Sequence, residues 1–137
     1  MARTKKSERA VTIEDCTWIK ARPARVFKAL TDGKDLSRWW PKGAESDPRR
    51  GGKLVLTWFS GHRLSTNFSS FIRNREVAYP FYSESVRFRL SAKKGGTAVR
   101  VAHRCSTDAC VHVAQSWGFL MGNLKCYLEY DGDLRCE

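Results

Sequence analysis

The chain has 137 residues, 25 of them Lys or Arg and 14 Asp or Glu, for a formal net charge of +11, with 42% hydrophobic and 12% aromatic residues. That length fits one core and leaves no room for a second, and that apolar content excludes intrinsic disorder. The positive balance permits anionic partners such as nucleic acid, acidic proteins or membrane surfaces, and specifies none of them.

Residues 1–10 include Arg3, Lys5, Lys6 and Arg9 and no apolar run, so they read as a basic, disordered tail without a signal-peptide core, ahead of a single domain over 11–137. No apolar stretch approaches the roughly 20 residues of a spanning helix. Cys16, Cys105, Cys110, Cys126 and Cys136 are widely spaced, with no C-x-x-C pair. A cytoplasmic chain with free thiols and no membrane insertion is the expectation.

Residues 11–21 mix β-branched and aromatic types (Val11, Thr12, Ile13, Thr17, Trp18, Ile19) and predict a strand. Pro23 suits the first turn of a helix, with Val26, Phe27 and Leu30 at helical spacing. Asp32 can cap a second short helix over 33–40, which Pro41 ends, and 42–52, with Gly43, Pro48, Gly51 and Gly52, reads as a loop. In 53–59 Leu54, Leu56 and Trp58 share one strand face, and Ser60-Gly61 reads as a hairpin turn. A strand over 66–73 is awkward, since Phe68 and Ile72 lie on one face and Phe71 on the other. Pro80 makes 77–82 an edge or bulged strand. Val86, Phe88 and Leu90 then alternate with Arg87 and Arg89, Lys93-Lys94-Gly95-Gly96 turns the chain, and Val99 and Val101 flank Arg100. This is a half-buried hairpin with a basic outer face. Val113, Trp117, Leu120, Leu124 and Leu128 change the period to that of a helix over about 109–130, roughly 30 Å long, ending near Gly132.

The fold class that follows is α+β: a curved antiparallel sheet wrapped around a long C-terminal helix, with two short helices after the first strand. One helix cannot fill a wide curved sheet, so a cavity between them is expected, with the short helices at its mouth. Three stretches also resemble a known family. They are 21–31 followed by Leu36 and Arg38-Trp39-Trp40; Asp47 with Arg50-Gly51-Gly52-Lys53-Leu54; and Ser116-Trp117-Gly118-Phe119-Leu120 leading to 123–129. In register over roughly 11–130, they are similar to the activator of heat-shock protein 90 ATPase homologue family, of the START/Bet v-like (SRPBCC) superfamily. The resemblance implies a helix-grip fold and a mostly apolar cavity. It implies no single activity, since members bind lipids, hormones and polyketides, and a minority are enzymes. The chain departs from the family in a short loop after the Trp-Trp pair and in polar middle strands (Ser65, Thr66, Asn67, Ser69, Ser70), which either line the cavity or face solvent.

The predicted cavity wall is Phe27, Trp39, Trp40, Leu56, Trp58, Phe68, Phe88, Val99, Trp117, Leu120, Met121 and Leu124. Trp40 and Trp117 lead that set, at the end of the short-helix pair and on the grip helix. Asp32, Asp35, Glu45, Asp47, Asp108, Asp131 and Asp133 read as cap, turn or loop residues, so no catalytic pair is assigned. His103, Cys105, Cys110 and His112 are zinc-type ligands at a spacing that matches no standard module, and no metal or cofactor is expected. The reading is therefore a binding protein for a small apolar molecule, held by burial and oriented by a few polar groups at the mouth. The alternative is an anionic macromolecule, either nucleic acid or an acidic protein, a chaperone partner included, on the stripe of Arg87, Arg89 and Arg100. Nucleic acid is the less expected of these, because no aromatic residue interleaves with that stripe.

Overall fold

The structure, a computed structural model, describes residues 9–135. Residues 1–8 of the expected tail lie outside the described residues, and Ala10 already opens the first strand, β1 (Ala10–Ile19). Its β-branched and aromatic residues extend along the whole of β8 (Gly96–Ser106), in register from Ala10 opposite Ser106 to Ile19 opposite Thr97.

Pro23 sits at the first turn of α1 (Pro23–Thr31), where its missing N–H costs no helical bond. Asp32 ends α1 and starts α2 (Gly33–Trp39), its carboxylate accepting the Asp35 N–H at 3.1 Å. Asp35, read from sequence as a cap or loop residue, is instead buried, its side chain 7% exposed. It binds Arg25 and Lys28 of α1 and the phenol of Tyr127, so one carboxylate ties three helices together.

The stretch 42–52, expected to be a loop, contains the strand β2 (Gly43–Ser46). It has no β-branched residues to announce it, and its backbone is extended by pairing with β3 (Lys53–Thr57), Ala44 opposite Leu56. The Gly51-Gly52 step before β3 has a steric cause. Gly51 has φ +80°, and a Cβ on Gly52 would lie 1.9 Å from the Asp47 carbonyl oxygen.

The run over 66–73 is two strands. β4 (Arg63–Asn67) pairs with β3, whereas β5 (Ser70–Ile72) pairs with β6 (Glu76–Phe81). The break falls between Phe68, whose N–H still bonds Gly52, and Ser69, whose N–H bonds Ala78. That switch lets Phe68 and Phe71 both meet the core, their rings 5.4 Å apart, and resolves their conflicting alternation. The polar residues here serve the frame: Thr66 donates to the Pro80 carbonyl, Asn67 to Gly51 and Ser70 to Glu76. β6 is not an edge strand, yet Pro80 lies past the residues that β5 pairs, so its missing donor interrupts no ladder on that side.

β7 (Glu84–Lys93) and β8 form the expected hairpin, with Val86, Phe88, Leu90, Val99 and Val101 buried. Lys94 and Gly95 both have positive φ at its turn, as a two-residue hairpin of this hand requires. Thus the single curved sheet expected from sequence is two: a five-stranded sheet in the order β1-β8-β7-β6-β5 and a three-stranded sheet β2-β3-β4.

The helix α3 (Cys110–Tyr130) covers the large sheet. Its buried stripe is Val113, Trp117, Met121 and Leu124, with Asn123 and Tyr127, so it is rotated toward Met121; Leu120 and Leu128 are half-buried. Left-handed Asp131 ends it, one residue before Gly132. Beyond the helix, Arg135 donates to the carbonyls of Ser37 and Pro41 at 3.0 and 2.9 Å, at the negative end of α2. Buried Asn123 donates to the Trp39 carbonyl at 2.9 Å and accepts from the Leu134 N–H. Replacing Arg135 by Ala, which frees those carbonyls, is expected to cost about 1–2 kcal/mol of stability in urea unfolding. A loss near zero would show that the terminal segment does not hold α2.

Candidate functional site

The aromatic end of α2 organises the site. Trp39 is fully buried and donates its indole N–H to the Ala29 carbonyl at 2.9 Å, which leaves Trp40, at the helix end, to turn toward the sheet. The Trp40 ring lies 5.1 Å from Trp117 of α3, 5.7 Å from Trp58 after β3, 5.9 Å from Phe81 of β6 and 6.4 Å from Phe88 of β7. Beside this cluster is a recess of about 470 Å³ that opens to solvent and is lined by Trp40, Trp58, Phe81, Tyr82, Glu84, His103, Ala109, His112, Val113, Ser116, Trp117 and Leu120. That volume is within the range of small-molecule sites.

Of the predicted wall, Trp40, Trp58, Trp117 and Leu120 line the recess. Phe27, Trp39, Leu56, Phe68, Phe88, Val99, Met121 and Leu124 are buried in the core behind it. The middle of the helix-sheet interface is thus filled by large side chains, and the recess lies toward the N-terminal end of α3.

The polar lining from the sheet comes from Glu84 and Tyr82, which sequence reasoning did not assign to a site, and from His103, which it singled out only as a zinc-type ligand. Counting the strand alternation from Val86 leaves out Glu84, which shares the inward parity of Val86 and Phe88; one step further back places it. His103 has the same parity as Val99 and Val101 on β8. Its side chain is only 5% exposed and bonds on both nitrogens: Nδ1 to the Trp117 indole at 2.8 Å and Nε2 to Glu84 at 2.7 Å. Phe81 and Tyr82, where the chain leaves β6, complete the wall, and Trp58 donates to the Tyr82 hydroxyl at 2.6 Å. No periodicity signals these two, since they lie at a strand end.

The zinc-type set does not converge. His112 is exposed, His103 is engaged as above, and among the described residues no three His, Cys, Asp or Glu side chains stand close enough to hold a metal ion. Cys16, Cys105, Cys110 and Cys126 are free thiols; Cys136 lies outside the described residues. Burial, with the charge of Glu84, pushes the Cys105 thiol above its ordinary range.

A groove of about 490 Å³ lined by Ala10, Ser83, Glu84, Ser85, Arg104, Cys105 and Ser106 is as large, but no aromatic ring walls it to hold a ligand body. On the basic stripe, Arg87 and Arg89 both bond Glu76, and Arg100 bonds Glu14 at 3.2 Å, which offsets part of the charge an anionic partner would meet. No helix among the described residues is long and apolar enough to cross a membrane.

Comparison with known proteins bears on the same architecture. The family described as Activator of Hsp90 ATPase homolog 1-like protein matches residues 20–129. No curated protein matches the sequence. Among solved structures, a protein from Staphylococcus saprophyticus is similar at 17% identity and a TM-score of 0.83, covering 93% of this chain and 98% of that one. The Aha1 dimer from Colwellia psychrerythraea has 24% identity and a TM-score of 0.77, over 88% and 97% of the two chains. The AHSA1-like protein from Aeromonas hydrophila has 18% identity and a TM-score of 0.78, over 93% and 99%. At these identities the likeness is one of fold.

Proposed function

This chain belongs to the Activator of Hsp90 ATPase homolog 1-like family, and from that premise we propose that it is a cytoplasmic binding protein for a small, largely apolar molecule, which it holds in the recess beside Trp40. The observation that supports this reading is a solvent-open space of about 470 Å³ walled by Trp40, Trp58, Phe81 and Trp117, with a few polar groups from sheet and helix among them. Burial against such walls is worth about 25 cal/mol per Å² of apolar surface, and Glu84, His103, Tyr82 and Ser116 orient what enters. Nothing comparable favours the basic stripe, whose arginines already share Glu76 and Glu14.

The test is a titration with N-phenyl-1-naphthylamine, an uncharged fluorophore that brightens in apolar surroundings. Saturable binding at one probe per chain is expected, and Ser116→Trp, which places an indole in the recess, is expected to abolish it. Absence of saturable binding, or binding unaffected by Ser116→Trp, would refute the reading.

A further inference from the structure

The recess is asymmetric in charge. The chain carries a formal net charge of +11, yet Glu84 is the one Asp, Glu, Lys or Arg among the described residues that line it. The way His103 is held preserves that negative charge. An indole N–H can only donate, so the bond from Trp117 Nε1 at 2.8 Å makes His103 Nδ1 an acceptor without a proton. The ring proton then sits on Nε2 and donates to Glu84 Oε1 at 2.7 Å. The imidazole bonds the carboxylate without cancelling its charge. Among the described residues no Lys or Arg forms an ion pair with Glu84, and Arg104 lines the neighbouring groove instead of the recess. With its side chain 27% exposed, Glu84 stays within reach of a ligand.

Resting on the apolar-ligand reading above, we infer that the recess selects hydrophobic amines or ammonium ions over neutral or acidic molecules of the same shape. The apolar body lies among the tryptophans, and the cationic head meets Glu84 and the rings of Tyr82 and Phe81. Two effects favour the cation. Aromatic rings attract it through their quadrupoles, and a partly desolvated carboxylate attracts it more strongly than water-screened charges do. A decanoate-like anion is repelled by the same carboxylate, and an alcohol gains from burial alone. The remaining charge of the chain repels cations, so a preference for them has to originate in the recess itself.

The experiment is displacement of N-phenyl-1-naphthylamine from the full chain by decyltrimethylammonium and decanoate, each below its micelle concentration, and by 1-decanol below its solubility limit, at physiological salt. The ammonium is expected to compete about tenfold or more better than decanol, and decanoate worst. Glu84→Gln, whose amide oxygen still accepts the His103 N–H, is expected to erase the ammonium advantage, so that the ammonium competes no better than decanol against the same variant. Equal competition by ammonium and decanol, stronger competition by decanoate, or an ammonium advantage that survives Glu84→Gln overturns the inference while leaving the apolar-ligand reading in place. Failure of the fluorophore itself to bind overturns both. The wild-type series alone decides the sign of the preference, so a Glu84→Gln protein that does not fold cannot rescue it.

Discussion

Replacing Trp40 with alanine is expected to lower the unfolding free energy by about 3–5 kcal/mol, the range for removing a large aromatic side chain from a packed site. The side chain is buried, and its ring is in contact distance of Trp39, Trp58, Phe81, Phe88 and Trp117, which come from α2, the turn after β3, β6, β7 and α3. Trp39 and Trp117 cannot fill the space without giving up the indole N–H bonds that anchor them to Ala29 and His103. Trp40→Phe keeps a ring in place and is expected to cost less than half as much. Urea unfolding at neutral pH measures both, and fluorophore titration of the folded fraction reports the recess. A loss below about 1 kcal/mol for Trp40→Ala would show that the cluster collapses around the gap and that the ring is not its centre.

Asp35→Ala is expected to cost about 2 kcal/mol at neutral pH, chiefly because the Tyr127 hydroxyl and the Arg25 guanidinium lose a buried acceptor. Arg25 and Lys28 are both well exposed and regain water, which keeps the loss below that for a fully buried pair. Burial pushes the Asp35 carboxyl up, but hydrogen bonds from Tyr127 and Arg25, with the charges of Arg25 and Lys28, outweigh it and hold the group below its ordinary value of 3.8. The unfolded chain therefore takes up this proton at higher pH than the native one. The stabilisation is fully present above the unfolded value and is lost as pH falls through the native one. Urea unfolding of the wild type and Asp35→Asn is expected to show a gap that is constant near neutrality and narrows once the pH passes below about 4. A gap that stays constant down to the acid transition would show that the carboxylate's charge contributes nothing.

What could be read in advance depended on whether a local period or cap carried the information. The β7–β8 hairpin was legible because Val86, Phe88, Leu90, Val99 and Val101 alternate with arginines around a Lys-Gly turn. Pro23 and Asp32 marked the starts of α1 and α2 through chemistry within one turn of the chain. β2 was not legible, since Gly43-Ala44-Glu45-Ser46 has no strand preference and is extended only by β3 beside it. The sheet switch at Phe68-Ser69 left a trace, the conflict between Phe68 and Phe71, but alternation alone cannot say which of two sheets a residue joins. On α3, spacing pointed to Leu120, whereas packing rotated the stripe toward Met121, because a helix settles its angle against the sheet it covers.

The candidate site divides in the same way. By itself the sequence determined the first strand, the two short helices, the β7–β8 hairpin and the long terminal helix in their order, the inward faces of the long strands, and the gathering of tryptophans at the end of α2 and on the grip helix, because each follows from the period or cap of a strand or helix. Only the tertiary structure decided which of those rings line open space and which are core, that Glu84 and His103 meet beside them, and that Trp117 sets the proton position on His103. Those outcomes depend on distances between residues remote in the chain, 14 positions apart for His103 and Trp117 and 19 for Glu84 and His103. Local propensity contains no term for such distances; they are set when side-chain volumes fill the space between sheet and helix.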